Sequence, residues 1–179
     1  MIPNSAWTAL LLLATADSLG LTVTVETPQG APRLVVDGRP VRGAMVEMWQ
    51  ANAAGRYHHP ADRQAKAVDP AFRGWGRASA DFETGIYRFD TVKPGPVAGR
   101  RGRMMAPRVN FWIVARGINI GLNTRMYFSD EADANAEDPI LMRIEHRSRV
   151  PTLIGNRDGS AYTFDIYLQG PNETVFFDV

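Results

Sequence analysis

Most of this chain reads as short β-strands. LTVTVE (21–26) alternates with period two, and AMVEMWQ (44–50) carries alternating apolar positions. IYRFDTV (86–92), VNFWIVA (109–115), YTFDIYL (162–168) and TVFFDV (174–179) are rich in β-branched and aromatic residues. Turn signals lie between them: Asp37-Gly38, Ala54-Gly55, Lys93-Pro94-Gly95-Pro96 and Asp158-Gly159. Many short strands joined by Gly/Pro turns predict a mainly β fold, a sandwich or barrel. With 179 residues, 45% of them hydrophobic, one domain with a real core is the simplest organisation.

One segment departs from this pattern. SDEADANAEDPILMRIEHR (129–147) opens with Ser129 and Asp130, continues with acids and alanines, and ends in an apolar stretch and basic residues. Ser129 or Asp130 is expected to cap a short helical segment whose early acids suit its dipole. Pro139 is expected to divide it in two. The acids lack the oxygen-ligand spacing of a calcium loop and read as a solvated helix face. Residues 55–82 and 93–107 are long connections rich in Gly, Pro and Arg, of the kind that carry function.

The N-terminal run AWTALLLLATA (6–16) admits two readings. Its length and its Ala14-Thr15-Ala16 end suit a cleaved signal over residues 1–16, but no Lys or Arg precedes Arg33. The other reading is a buried strand or helix. The run is too short to span a bilayer.

Composition removes several chemistries. There is no cysteine, which excludes disulfides, thiolate metal sites and a cysteine nucleophile. With only three histidines, His58, His59 and His146, an all-histidine metal site from this chain alone is nearly impossible. His58 and His59 are adjacent, so in an extended chain they face opposite ways. They read as loop residues, and His146 as a surface cap. Neither a G-x-S-x-G elbow nor a phosphate-binding P-loop occurs. A net charge of +1 gives no general attraction to nucleic acid or membrane. The local cluster Gly99-Arg100-Arg101-Gly102-Arg103 leaves two readings open, a phosphate-binding loop or a solvated interface loop.

The segment APRVNFWIVA (106–115) poses the central question. Arg108 and Asn110 stand two apart in an apolar run, so in a strand they share one face. Two histidines at that spacing would read as metal ligands. An arginine and an asparagine do not.

The segments VEMWQANAAGRY (46–57), VDPAFRGWGRASADFETGIYRFDTVKPGPV (68–97), APRVNFWIVARGINIGLNTRMYFSDEADANAEDPIL (106–141) and QGPNETVFFDV (169–179) resemble the intradiol ring-cleavage dioxygenases. Within the family they are similar to the α chains of two-chain members. The resemblance implies a β-sandwich of the intradiol dioxygenase type over residues 37–179, with residues 1–36 as a divergent N-terminal segment. Thr27-Pro28-Gln29-Gly30-Ala31-Pro32 is a faint echo of the family's N-terminal motif.

The family's catalytic chain holds non-haem Fe(III) with two tyrosines and two histidines, donors that suit a hard ferric ion. At the matching positions this chain has Tyr57, Val97, Arg108 and Asn110. One ligand is retained and three are lost, one of them to a fixed cation. The resemblance therefore implies a chain that binds no metal itself. Its partner would be a β chain holding Fe(3+), in a hetero-oligomer of αβ units in the cytoplasm. The shared site would take protocatechuate and O2 and yield 3-carboxy-cis,cis-muconate. The resemblance also implies that Arg116, in ARGIN, lines the partner's site and meets the substrate carboxylate. The alternative for Arg116 is a buried arginine paired within the domain. The alternative for the whole chain is a sandwich module that has lost both iron and partner. Trp49 reads as core or interface, Trp75 as an interface anchor, and Tyr87 as a strand residue rather than a spare phenolate.

Overall fold

The computed structural model describes residues 21–26, 41, 43–83, 85–170 and 172–178. The apolar run 6–16 and the turn 27–32 lie outside the described residues. Within them are the strands β1 (Leu21–Glu26), β2 (Met45–Gln50), β3 (Trp75–Ser79), β4 (Tyr87–Thr91), β5 (Val97–Ala98), β6 (Met104–Met105), β7 (Arg108–Val114), β8 (Leu122–Phe128), β9 (Ile154–Asp158) and β10 (Ala161–Asp165). One α-helix, α1 (Ala132–Glu137), is followed by 3-10 turns at Leu141–Arg143 and Arg147–Leu153.

Eight strands form one curled sheet in the order β3-β2-β7-β8-β9-β10-β1-β4, and β5 pairs with β6. The β8–β9 and β1–β10 pairs are parallel. β9 is the corner. Ile154 and Gly155 pair with Tyr127 and Phe128 of β8, and Asn156 to Asp158 pair with β10. Changing partner in mid-strand folds the sheet over, so its two halves face each other across a core, as in a sandwich.

Period-two alternation fills that core. Val109, Phe111 and Ile113 of β7 are buried, as are Val46 and Met48 of β2 and Met126 and Phe128 of β8. From the opposite half come Tyr87 and Phe89 of β4 and Tyr162 and Phe164 of β10. Phe111 stacks on Phe164 at 5.9 Å and lies 6.2 Å from Phe89 between centroids. Phe128 meets Tyr162 edge-on at 4.9 Å. These offset and edge contacts add to the area term of burial. Tyr87 is a strand residue as expected, and the structure puts it in the core, where burial pushes its phenol far above the ordinary value.

The mainly β expectation holds, with local differences. β3, β8 and β9 were not foreseen, because Gly, Asn, Arg and Asp dilute their β signal. The described part of TVFFDV, residues 174–178, is not a strand; it makes a single bridge, Asn123 to Phe177. Side-chain hydrogen bonds hold it instead. Thr124 donates to the Val175 carbonyl at 2.8 Å, and Val175 N–H donates to the Thr152 hydroxyl at 3.3 Å.

The helical segment is shorter and differently capped than expected. Glu131 is the N-cap and makes no side-chain capping bond. Ser129 is drawn away to accept from Arg157 N–H at 3.1 Å. α1 ends where Pro139 forces Asp138 into an extended conformation (ψ 123°).

Asp130 is drawn away as well. Its carboxylate accepts from the Tyr162 hydroxyl at 2.7 Å, Lys93 at 2.9 Å and Arg157 at 3.1 Å. Burial pushes this carboxyl up, but the Tyr162 and Lys93 hydrogen bonds together outweigh it and hold it below its ordinary value of 3.8. A carboxyl depressed in the folded state stabilises the fold above its unfolded pKa, and that stability is lost as pH falls through the folded value. We expect an Asp130→Asn variant to lose this acid limb: its melting temperature should change less than the parent's between pH 5 and pH 3. Parallel melting curves of the two proteins over that range would contradict the assignment.

Candidate functional site

The site begins with the outer face of three neighbouring strands. The register places Trp49 of β2 and Arg125 of β8 on either side of Asn110 in β7. One pleat further along, Glu47 and Asn123 flank Trp112, and Arg108 faces Tyr127. Arg108, Asn110 and Trp112 thus share a face, as their spacing predicted. This face lines a cavity of about 500 Å3 that also takes in Tyr57 and Phe177.

Tyr57 reaches the cavity because its loop is tied down. Asn52, itself buried, accepts from Arg56 N–H at 2.9 Å and donates to the Ala67 carbonyl at 2.9 Å. The Asn52 carbonyl accepts from Gly55 and Gly95 N–H groups at 2.8 and 3.0 Å. Fully buried Gln50 donates to the Val92 carbonyl at 2.7 Å and accepts from the Thr91 hydroxyl at 3.1 Å. So the WQAN stretch is a clamp joining the Tyr57 loop to the Lys93–Pro96 turn. Trp49, 45% exposed, packs its ring 4.8 Å from that of Tyr57.

Three of the four positions that the resemblance matched to iron ligands meet. The Tyr57 hydroxyl accepts from Asn110 Nδ2 at 3.3 Å and has Arg108 at 3.5 Å. Asn110 also donates to the Trp49 carbonyl at 3.0 Å. The fourth, Val97, is buried on β5 opposite Met105 and is absent from the described cavity lining. This set does not fit a ferric ion. One phenol is the only acidic donor among the four, Val97 has no donor atom, and a permanent guanidinium stands beside the phenol oxygen. Among the described residues no group of three or more His, Asp or Glu converges on a possible metal position. His58 contacts the Phe72 carbonyl at 3.0 Å, whereas His59 accepts from Ala61 N–H at 3.1 Å, so the two rings have separate partners.

Arg108 is 6% exposed, yet its partners are remote. Its amino groups lie 3.5 Å from the Ala106 carbonyl and the Tyr57 hydroxyl, at the limit of a hydrogen bond. Its Nε is buried and has none. Glu47, the acid in the lining, is engaged elsewhere by Arg77 at 2.7 Å. Burial pushes the Glu47 carboxyl up, but hydrogen bonds from Trp75 and Arg77 prevail and hold it below the usual range.

Arg116 lies apart from this cavity. It is exposed on the turn closed by Ile118 N–H to the Ala115 carbonyl at 3.2 Å, with Gly117 at φ 83°. Exposure removes the buried-arginine reading. Trp75 is also exposed, with the Arg77 guanidinium 5.0 Å above its ring. Sequence reasoning missed Arg125, whose guanidinium lies 5.1 Å from the Phe177 ring. The signal was the alternation of β8, masked by its polar residues.

Comparison with known proteins agrees with this geometry. The family model described as "Dioxygenase" matches residues 12–170. The chain is 47% identical over 146 residues to the protocatechuate 3,4-dioxygenase alpha chain of Pseudomonas putida, covering 79% of this chain and 70% of that one. It is 41% identical over 150 residues to the alpha chain from Burkholderia cepacia, covering 80% and 72%. To the beta chain of Burkholderia cepacia it is 38% identical over 146 residues, covering 76% and 61%. An intradiol ring-cleavage dioxygenase from Tetranychus urticae shares the fold, with a TM-score of 0.56 at 20% identity over 84% of this chain and 80% of that one. The strand-rich sandwich, the face that aligns Arg108 and Asn110, and these matches together establish that the chain belongs to the intradiol dioxygenase family.

Proposed function

We propose that this chain is the iron-free α subunit of a protocatechuate 3,4-dioxygenase, completing an active site whose Fe(III) is held by a β chain. The observation that carries the reading is the donor set at Tyr57, Val97, Arg108 and Asn110. It keeps the family's strand and spacing and replaces its ligand chemistry. Similarity to two α chains supports the same reading. In it, residues 37–179 form the dioxygenase-type domain and the assembly is a cytoplasmic hetero-oligomer of αβ units. Among the described residues no helix is long and apolar enough to cross a membrane.

The iron would supply the ring-opening chemistry with O2 from the β chain, giving 3-carboxy-cis,cis-muconate. This chain's part is binding and orientation. Arg116 stands exposed on a short turn and has no ion pair among the described residues. In the assembly its guanidinium forks onto the carboxylate of protocatechuate and holds the catechol edge toward the metal.

Co-expression with the cognate β chain tests this, with iron analysis and oxygen uptake measured on the same chromatographic peak. We expect one iron per αβ pair, activity in that peak, and none from this chain alone. Arg116→Ala should lower kcat/KM for protocatechuate about 10- to 100-fold, the cost of one charge-assisted contact. Turnover of catechol, which has no carboxylate, should change far less. A colourless chain that elutes by itself, beside a β chain active without it, would favour the partnerless module instead.

A further inference from the structure

A second cavity, of about 540 Å3, opens on the other side of Arg108 and Arg125, which line both. Five of its eight lining residues are arginines: Arg101, Arg103, Arg108, Arg125 and Arg143. None is acidic. They come from distant parts of the chain. Arg101 and Arg103 belong to the β5–β6 turn, Arg108 and Arg125 to β7 and β8, and Arg143 to the 3-10 turn after α1.

Several arginines elsewhere find acids: Arg77 pairs with Glu47, Arg149 with Glu173, and Arg157 with Asp130. Among the described residues none of the five has such a partner. Arg103 has a weak contact to Met142 sulfur at 3.9 Å. Buried Asp138 stands near, but its oxygens are taken by backbone N–H groups and the Tyr127 hydroxyl. Guanidinium groups stay charged at every relevant pH, so they cannot relieve their repulsion by losing protons.

The second observation concerns hydrogen bonding. Arg108 is more than nine-tenths buried and its Nε has no partner. Arg125 likewise keeps one buried terminal nitrogen without a partner. A buried cation left this poorly satisfied is costly unless something else supplies acceptors. The missing component is negative charge carried on several oxygens.

We propose that this arginine-lined cavity is a binding site for a small oxyanion with two or more charges, of the phosphate or polycarboxylate type. Arg108 and Arg125 form its floor, and Arg101, Arg103 and Arg143 close over it from the surface. Fork-like donors suit the planar or tetrahedral oxygens of such a ligand. The site shares Arg108 and Arg125 with the first cavity but not Tyr57 or Asn110. Binding by the chain alone tests it apart from the subunit reading, and the complex adds a second test where that reading holds.

The test is calorimetric titration of the full chain, alone and in complex with its β chain, at fixed ionic strength. The probes are inorganic phosphate, pyrophosphate and citrate, with chloride as the control; the stronger binder tells whether the natural ligand is a phosphate or a carboxylate. We expect saturable one-site binding in both samples, weakening steeply as salt rises. Arg143→Ala and Arg103→Ala alter exposed side chains, so the fold should be spared. Each should weaken binding by about tenfold or more, as for one charge-assisted contact. The proposal is overturned by the absence of saturable binding for all three anions, or by unchanged affinity in both variants. Binding to the free chain that vanishes in the complex would also overturn it, since a partner carboxylate would then be the occupant.

Discussion

Asp138→Ala is expected to remove about 4 kcal/mol of stability, as for breaking a buried charged network. Asp138 is fully buried. One carboxylate oxygen accepts from Ala106 N–H at 2.9 Å, and the other from Ile140 and Leu141 N–H groups at 2.8 and 3.0 Å. The Tyr127 hydroxyl lies 3.3 Å from that second oxygen. Alanine would orphan four donors at once, three of them buried and the Ile140 N–H partly so, beside the small core formed by Ala106, Tyr127, Leu141 and Leu153. Water cannot reach the three buried ones without opening that core. Burial and the nearby Asp138 charge also raise the Tyr127 phenol, to about 12, so it stays a donor throughout the neutral range. Asp138→Asn keeps one acceptor and should fall between parent and alanine. Urea unfolding of the three proteins decides the matter. An alanine variant within about 1 kcal/mol of the parent, less than one orphaned donor should cost, would refute the network. The same residue bears on function, because it anchors Ala106 two positions before Arg108, and Tyr127 lies opposite Arg108 in the sheet.

Gly55→Ala should be the other severe change, at about 3 kcal/mol. Gly55 sits at φ 80°, where an L-residue costs about 1–2 kcal/mol. A Cβ there would also be driven onto the Pro96 carbonyl oxygen, with the Lys66 amine 2.7 Å away. Backbone cannot yield as a side chain does, and overpacking of this kind adds about 1–3 kcal/mol. Gly159→Ala is the control. Its φ is 60° but no atom lies within 4 Å of the added Cβ, so it should pay only the conformational part. Equal losses in the two variants would show that the clash with Pro96 is relieved at no cost. If the clash is real, the Tyr57 loop moves. The tilted contact of Trp49 with Tyr57 should then loosen, which tryptophan fluorescence would register.

Local chemistry made part of this site legible. Period-two alternation depends only on backbone pleating, so residues 109–115 announced a strand, and the spacing of Arg108 and Asn110 put them on one face. That Val97, Arg108 and Asn110 are not the tyrosine and histidine donors of a ferric site was equally plain, because it is a property of residue types. The Pro139 break followed from a missing N–H and a steric rule. The basic Arg101–Arg103 cluster was visible too, but not what it faced. Capping was misjudged because Ser129 and Asp130 are drawn away by Arg157, Lys93 and Tyr162, residues that pattern cannot bring near.

What the sequence by itself determined was therefore the class of fold, the turns, the polar face of β7 and the absence of a metal-binding donor set. Only the tertiary structure decided that β9 changes partners and closes the sheet, that the C-terminal TVFFDV is held by side chains rather than a ladder, and that five arginines from separate segments line one cavity. The reason is the range of the forces. Alternation, turn chemistry and steric exclusion act between neighbours in the chain. Strand partners and charge clusters are set by long-range pairing, in which loop entropy, core packing and unsatisfied hydrogen bonds compete over the whole molecule.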